Sequence, residues 1–197
     1  MLRTLLPSIV VAVLAVVTLH GETPSLSVPH VRIADPELRR LLDAGLVASP
    51  TLRALVRRLD SSDVIAYIRV EEPRGGVDGS LQFVGASAGM RYLLIRVARM
   101  PTRGRQLALL AHELQHAVEV ATAPQVVDLD TFAQEYERIG HASHYRRHRT
   151  RSFETRGAVA TGERVLKELD GRDLRRQRPH ADVAALTTMA RGAPSED

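Results

Sequence analysis

The 197-residue chain contains no cysteine. It can form no disulfide and offers no thiolate to a metal, so any zinc site must be built from His, Asp or Glu. Lysine is nearly absent too. Lys167 is the only one, and arginine carries the basic side of a formal charge of +4. No cluster of these arginines matches a known nucleic-acid reader, so nucleic acid is not expected as a partner. A long apolar run is also missing. Leu5 to Leu19 is the longest, broken by Pro7, Ser8 and Thr18, and it falls short of the roughly 20 residues that span a bilayer as a helix.

With Arg3 ahead of it, that run has the length and flank of a secretory signal, although Thr18-Leu19-His20-Gly21 lacks a clean small-x-small cleavage pattern. Residues 1–21 therefore read as a signal peptide or a membrane anchor. Either way the remainder is expected to be exported: periplasmic, extracellular, or membrane-anchored and facing outside the cytoplasm. Residues 22–34, polar and broken by Pro24 and Pro29, read as a linker. A domain over 35–170 and a polar tail over 171–197 complete the division.

Within the domain, Asp35-Pro36 has the form of a cap and first helical residue. The spacing predicts one helix to about Val47 and a second over Thr51–Leu59. Val64–Val70 is rich in β-branched residues, and with Leu81–Gly85 and Arg91–Val97, set off by turn-prone stretches, it predicts three short strands. Their short connections favour an antiparallel meander. The predicted fold class is α+β, a small antiparallel sheet packed on helices. Pro101 ends the last strand, and Thr102 can cap the helix that follows.

That helix carries the chemistry. His112-Glu113-Leu114-Gln115-His116 is a His-Glu-x-x-His sequence whose neighbours Leu107, Leu110, Leu114 and Val118 recur at helical spacing. Histidines four apart stack on one helix face and can reach one metal ion. Glu113 lies about 100° round the helix from His112, placed to reach a water on the metal instead of the metal itself. This is the arrangement of a zinc hydrolase, with His112 and His116 as ligands and Glu113 as general base.

A catalytic zinc commonly takes three protein ligands. A third histidine six residues past the second is excluded, because Thr122 stands there. Glu135 and Glu137 lie about 20 residues on, in surroundings that read as a solvated face. His141, His144 and His148 belong to a basic loop ending at Arg151. The favoured ligand is Glu154, placed by the periodicity in the first turn of a helix over Ser152–Leu169. Gly157, Ala158, Ala160, Thr161 and Gly162 make that helix thin enough to approach the metal helix closely. Two internal glycines cost roughly 1 kcal/mol each against alanine, which points to a packing reason.

With His112-Glu113-Leu114-Gln115-His116 followed by Glu154, the stretch from Val64 to Leu169 resembles the zincin metallopeptidases of the gluzincin type, most closely their small single-domain bacterial members. The resemblance implies Zn2+ held by His112, His116 and Glu154, water activation by Glu113, and a peptide or protein as substrate. Larger members orient a histidine with an aspartate four residues past the ligand glutamate, where this chain has Ala158. Tyr145 and His144 are the candidates for stabilising the oxyanion. The competing expectations are a non-catalytic exported binding or scaffold protein of the same fold, and a metal-dependent hydrolase of non-peptide amides.

Overall fold

The computed structural model describes residues 29–71, 77–142 and 153–171. Two proline-initiated helices come early in it, α1 (Pro36–Ala48) and α2 (Pro50–Asp60). Asp35 accepts the Leu38 amide at 2.8 Å, and Ser49 accepts the Leu52 amide at 3.0 Å. Each cap satisfies an amide that has no partner inside its helix, while proline at the first position has no amide to lose. Leu38 and Leu42 of α1, and Leu52, Leu55 and Leu59 of α2, are buried at helical spacing.

The sheet has four strands: β1 (Val31–Ile33), β2 (Val64–Val70), β3 (Gly79–Ser87) and β4 (Met90–Val97), in the spatial order β1-β2-β4-β3. β2 runs parallel to both neighbours, with Ala66 opposite Val31 on one side and Leu93 on the other. Within this sheet, as described, β3 and β4 are the antiparallel pair. The expected three-stranded antiparallel meander is therefore corrected to a mixed sheet, and the architecture stays α+β.

The cause lies in the two connections. Ser87 pairs with Met90 across Ala88 and Gly89, whose φ angles are 52° and 75°. Two such residues make a turn whose twist suits a hairpin. The connection between β2 and β3 instead spans two strand spacings, about 10 Å, and β4 returns into the gap. β1 corrects a second expectation, because Val31–Ile33 lies inside the stretch read as linker.

Ala66, Ile68, Leu93, Ile95 and Val97 are buried in one core with Leu52, Leu59, Leu110 and Leu114, whereas Tyr67 and Arg69 of β2 are exposed. The centre of that core is α3 (Arg103–Ala121), capped by Thr102 and packed on α1, α2, β2, β3 and β4. Arg91 of β4 fixes its far end. This almost fully buried guanidinium donates to Asp63 at 2.8 and 2.6 Å and to the carbonyls of Val120, Ala123 and Val126 at 2.8, 2.7 and 3.2 Å.

Helix α4 (Leu129–Ile139) follows, started by a reciprocal cap between Asp128 and Thr131. The two-residue strands β5 (His141–Ala142) and β6 (Phe153–Glu154) then pair antiparallel. Thr155 accepts the Ala158 amide and opens a last helix, α5, described over 156–171. That helix starts later than the sequence predicts. Glu154 belongs to the strand before it, because Thr155 and not Ser152 is the cap. Glu168 of α5 accepts the hydroxyls of Ser49 and Thr51, tying α5 to the start of α2. Among the described residues no helix is long and apolar enough to cross a membrane, and residues 1–28 lie outside them.

Candidate metal centre

His112 and His116 stand one turn apart on α3, with ring centroids 5.0 Å apart and ring planes 80° to each other. Glu154 reaches them from β6. Its Oε1 lies 3.2 Å from His112 Nε2 and 3.4 Å from His116 Nε2. One donor atom from each residue lies within 4.8 Å of the other two, and among the described residues no other such cluster of His, Asp and Glu exists. Donors held about 2.0–2.2 Å from a tetrahedral zinc are roughly 3.3–3.5 Å apart, and both separations lie close to that range. Two imidazoles and a carboxylate are a donor set that zinc accepts, and three protein ligands leave a position open. His112 and Glu154 keep side-chain exposures of 19% and 30%, against 7% for His116, so the cluster opens to solvent on the His112 and Glu154 side.

Close approach of α5 makes this possible. A Cβ added at Gly162 would lie 3.1 Å from the Ala108 carbonyl oxygen and 3.5 Å from His112 Cβ. Ala158 and Val165 on the same helix are fully buried. The thin face expected from the sequence is thus the face that meets α3.

Electrostatics favour a cation here. Burial alone would lower the pKa of His116, but hydrogen bonds to Glu119 and Glu154 outweigh it and raise the imidazole to about 9. Burial also opposes the charged form of Glu154, yet the hydrogen bonds of His112 and His116 hold its carboxyl well below the usual range. A place that binds a proton this tightly between carboxylates is one that favours positive charge of any kind.

Glu113 is 4% exposed, and its Oε2 is the one buried side-chain polar atom among the described residues without a hydrogen-bond partner. Burial pushes its carboxyl up to about 7, against the pull of His116 and His112 and with the push of Glu154. It rests on the first residue of β3: a Cβ at Gly79 would lie 2.1 Å from Glu113 Oε1. Only glycine leaves the carboxylate its present place.

Three residues outside the expected site support His116, two directly and one through Glu119. Its Nδ1 meets Glu119 Oε2 at 2.9 Å, and Glu119 Oε1 accepts the Thr155 hydroxyl at 2.7 Å. Tyr136 of α4 donates to the His116 carbonyl at 3.0 Å and packs edge-on against its ring. The signal for Glu119 was present, since a residue three past His116 shares its helix face. Tyr136 is a helical apolar position, and its role depends on how α4 docks.

The other candidates fall elsewhere. Glu135 is not on a solvated face: it is 5% exposed and accepts from Arg138 and Gln125, each at 2.9 Å. Glu137 and His141 are exposed, and neither joins the donor cluster. His144, Tyr145 and His148 lie outside the described residues. A cavity of about 710 Å³ adjoins the cluster on the Glu119 and Thr155 side, while His112, His116 and Glu154 do not line it. No family model matches the chain, and neither a curated protein nor a solved structure matches it.

Proposed function

We propose that the chain is an exported zinc-dependent hydrolase of the zincin type that cleaves peptide bonds. The observation that carries this reading is the meeting of His112, His116 and Glu154 donors at 3.2 and 3.4 Å beside a buried, unpaired Glu113. Two of these residues are neighbours on a helix, and the third comes from a strand 38 positions on from His116. Gly162 lets α5, the helix that follows Glu154, pack closely on α3 beside His112.

When bound, zinc supplies Lewis-acid polarisation of a carbonyl and a lowered pKa for its water. The protein's own part is proton handling and orientation. Burial disfavours the charged form of Glu113, and its Oε2 has no hydrogen-bond partner among the described residues, so this carboxylate accepts a proton more readily than a solvated one would. Such a carboxylate takes a proton from the attacking water and returns it to the leaving amine. Its free Oε2 has no competing partner among the described residues to break away from. His112, His116 and Glu154 supply ligand atoms, and Tyr136 holds the backbone of His116 in place. Tyr145 and His144 stay as candidate oxyanion stabilisers.

Glu113→Gln tests the reading. It removes the base and no ligand, so the variant should bind zinc like the parent and lose about 10²–10⁴-fold in turnover of a peptide library. Near-parental turnover removes Glu113 from the base's role. Zinc binding without cleavage by the parent favours a binding protein, and cleavage only of non-peptide amides changes the substrate class.

A further inference from the structure

Glu119 stands where a solvated surface acid would be expected, near the end of α3, yet its side chain is only 14% exposed. Both of its oxygens are engaged, Oε2 by His116 Nδ1 and Oε1 by the Thr155 hydroxyl. We propose that Glu119 is the positioning residue of the metal centre, a carboxylate clamp that aims His116 and seats Glu154 opposite it. The inference rests on the metal reading above and adds a role for a residue outside the donor set.

The first half of the clamp acts on the ring. A proton held on Nδ1 by a carboxylate fixes the tautomer, leaving the Nε2 lone pair for a metal. In this orientation Nε2 faces Glu154 Oε1. The second half acts on the backbone. Thr155 directly follows Glu154 and caps α5, so its bond to Glu119 ties the ligand-bearing strand to the ligand-bearing helix. One carboxylate thus joins two ligands that are far apart in sequence. Its negative charge at the start of α5 also suits the helix dipole.

Room for the clamp comes from Gly157. A Cβ there would lie 2.9 Å from Glu119 Oε1, with the next neighbour, Gln115 Nε2, at 3.7 Å. The clashing atom is the tip of a flexible side chain, so Gly157→Ala displaces the carboxylate without forcing α5 off α3. In the first turn of a helix alanine also favours folding. This variant therefore separates a clamp on the metal from a simple helix cap.

Zinc titrations of the parent, Glu119→Ala, Glu119→Gln and Gly157→Ala, each with a melting curve of the metal-free protein, decide the matter. Glu119→Ala should weaken zinc about 10–100-fold, the usual effect of losing an outer partner of a ligand. Glu119→Gln keeps an acceptor for His116 and should lose less. Gly157→Ala should weaken zinc while melting no lower than the parent, and its cobalt form should show a shifted visible absorption band. The proposal is overturned if Glu119→Ala and Gly157→Ala bind zinc within twofold of the parent, or if affinity falls only in step with melting temperature. A parent that takes up no zinc overturns the metal reading and the clamp together, whereas a parent that binds beside unchanged variants overturns the clamp alone.

Discussion

Gly79→Ala is the sharpest small change the fold offers. Gly79 pairs with Val97 at the start of β3, and its φ is not in the left-handed region, so alanine fits the backbone. The new methyl carbon, however, would lie 2.1 Å from Glu113 Oε1, 2.8 Å from Cδ and 3.0 Å from Cγ. An ordinary carbon–oxygen contact needs about 3.4 Å or more, so the carboxylate must retreat by more than 1 Å. Misplacing a reacting group that far costs about 10²-fold in rate. Overpacking costs about 1–3 kcal/mol, and losing a strand glycine returns roughly 0.5–1 kcal/mol. The net loss of stability is then at most about 2.5 kcal/mol. Urea unfolding of the parent, Gly79→Ala, Glu113→Ala and the double variant isolates the contact. With Glu113 truncated, the alanine should be neutral or stabilising. Equal effects of Gly79→Ala in both backgrounds, or full turnover in the single variant, would refute the reasoning.

Two further expectations concern the frame. Arg91→Met should destabilise the domain by about 1–3 kcal/mol in chemical unfolding, because it orphans buried carbonyls at the end of α3, while Asp63, 45% exposed, keeps its hydration; an unchanged stability would show that water replaces the guanidinium. Glu135 is held below its ordinary value of 4.5, chiefly by the Arg138 hydrogen bond. A lowered carboxylate binds fewer protons folded than unfolded, so its contribution is present above 4.5 and lost as pH falls through the folded value. The urea midpoints of the parent and Glu135→Gln should therefore converge well below pH 4.5, and a gap that persists there contradicts the ion pair's role.

Local chemistry made much of the scaffold legible. Asp35-Pro36 and the apolar spacing of α1 and α2 state their own boundaries, because caps and proline act within one turn. The strands were readable from β-branched residues, but their partners were not. The Ala88-Gly89 turn fixes β4 beside β3, and nothing local says whether β3 or β4 lies against β2. β1 escaped because three residues are too few to show an alternation, and its pairing comes from β2.

The centre divides along the same line. His112, Glu113 and His116 lie within one helical turn, so their relation follows from helix geometry. Glu154 was readable through the small residues after it, although the cap at Thr155 leaves it in a strand. Glu119 and Glu135 both look like surface acids in sequence. Burial and partners 36 and 10 residues away set their roles.

The proposed metal centre draws three ligands from two segments. Titrating metal-free parent, Glu154→Ala and Glu135→Ala with zinc tests this directly. The parent should bind one zinc, Glu135→Ala should bind as tightly, and Glu154→Ala should lose more than about 100-fold, beyond what an outer residue costs. Unchanged zinc affinity in a folded Glu154→Ala protein would contradict the account.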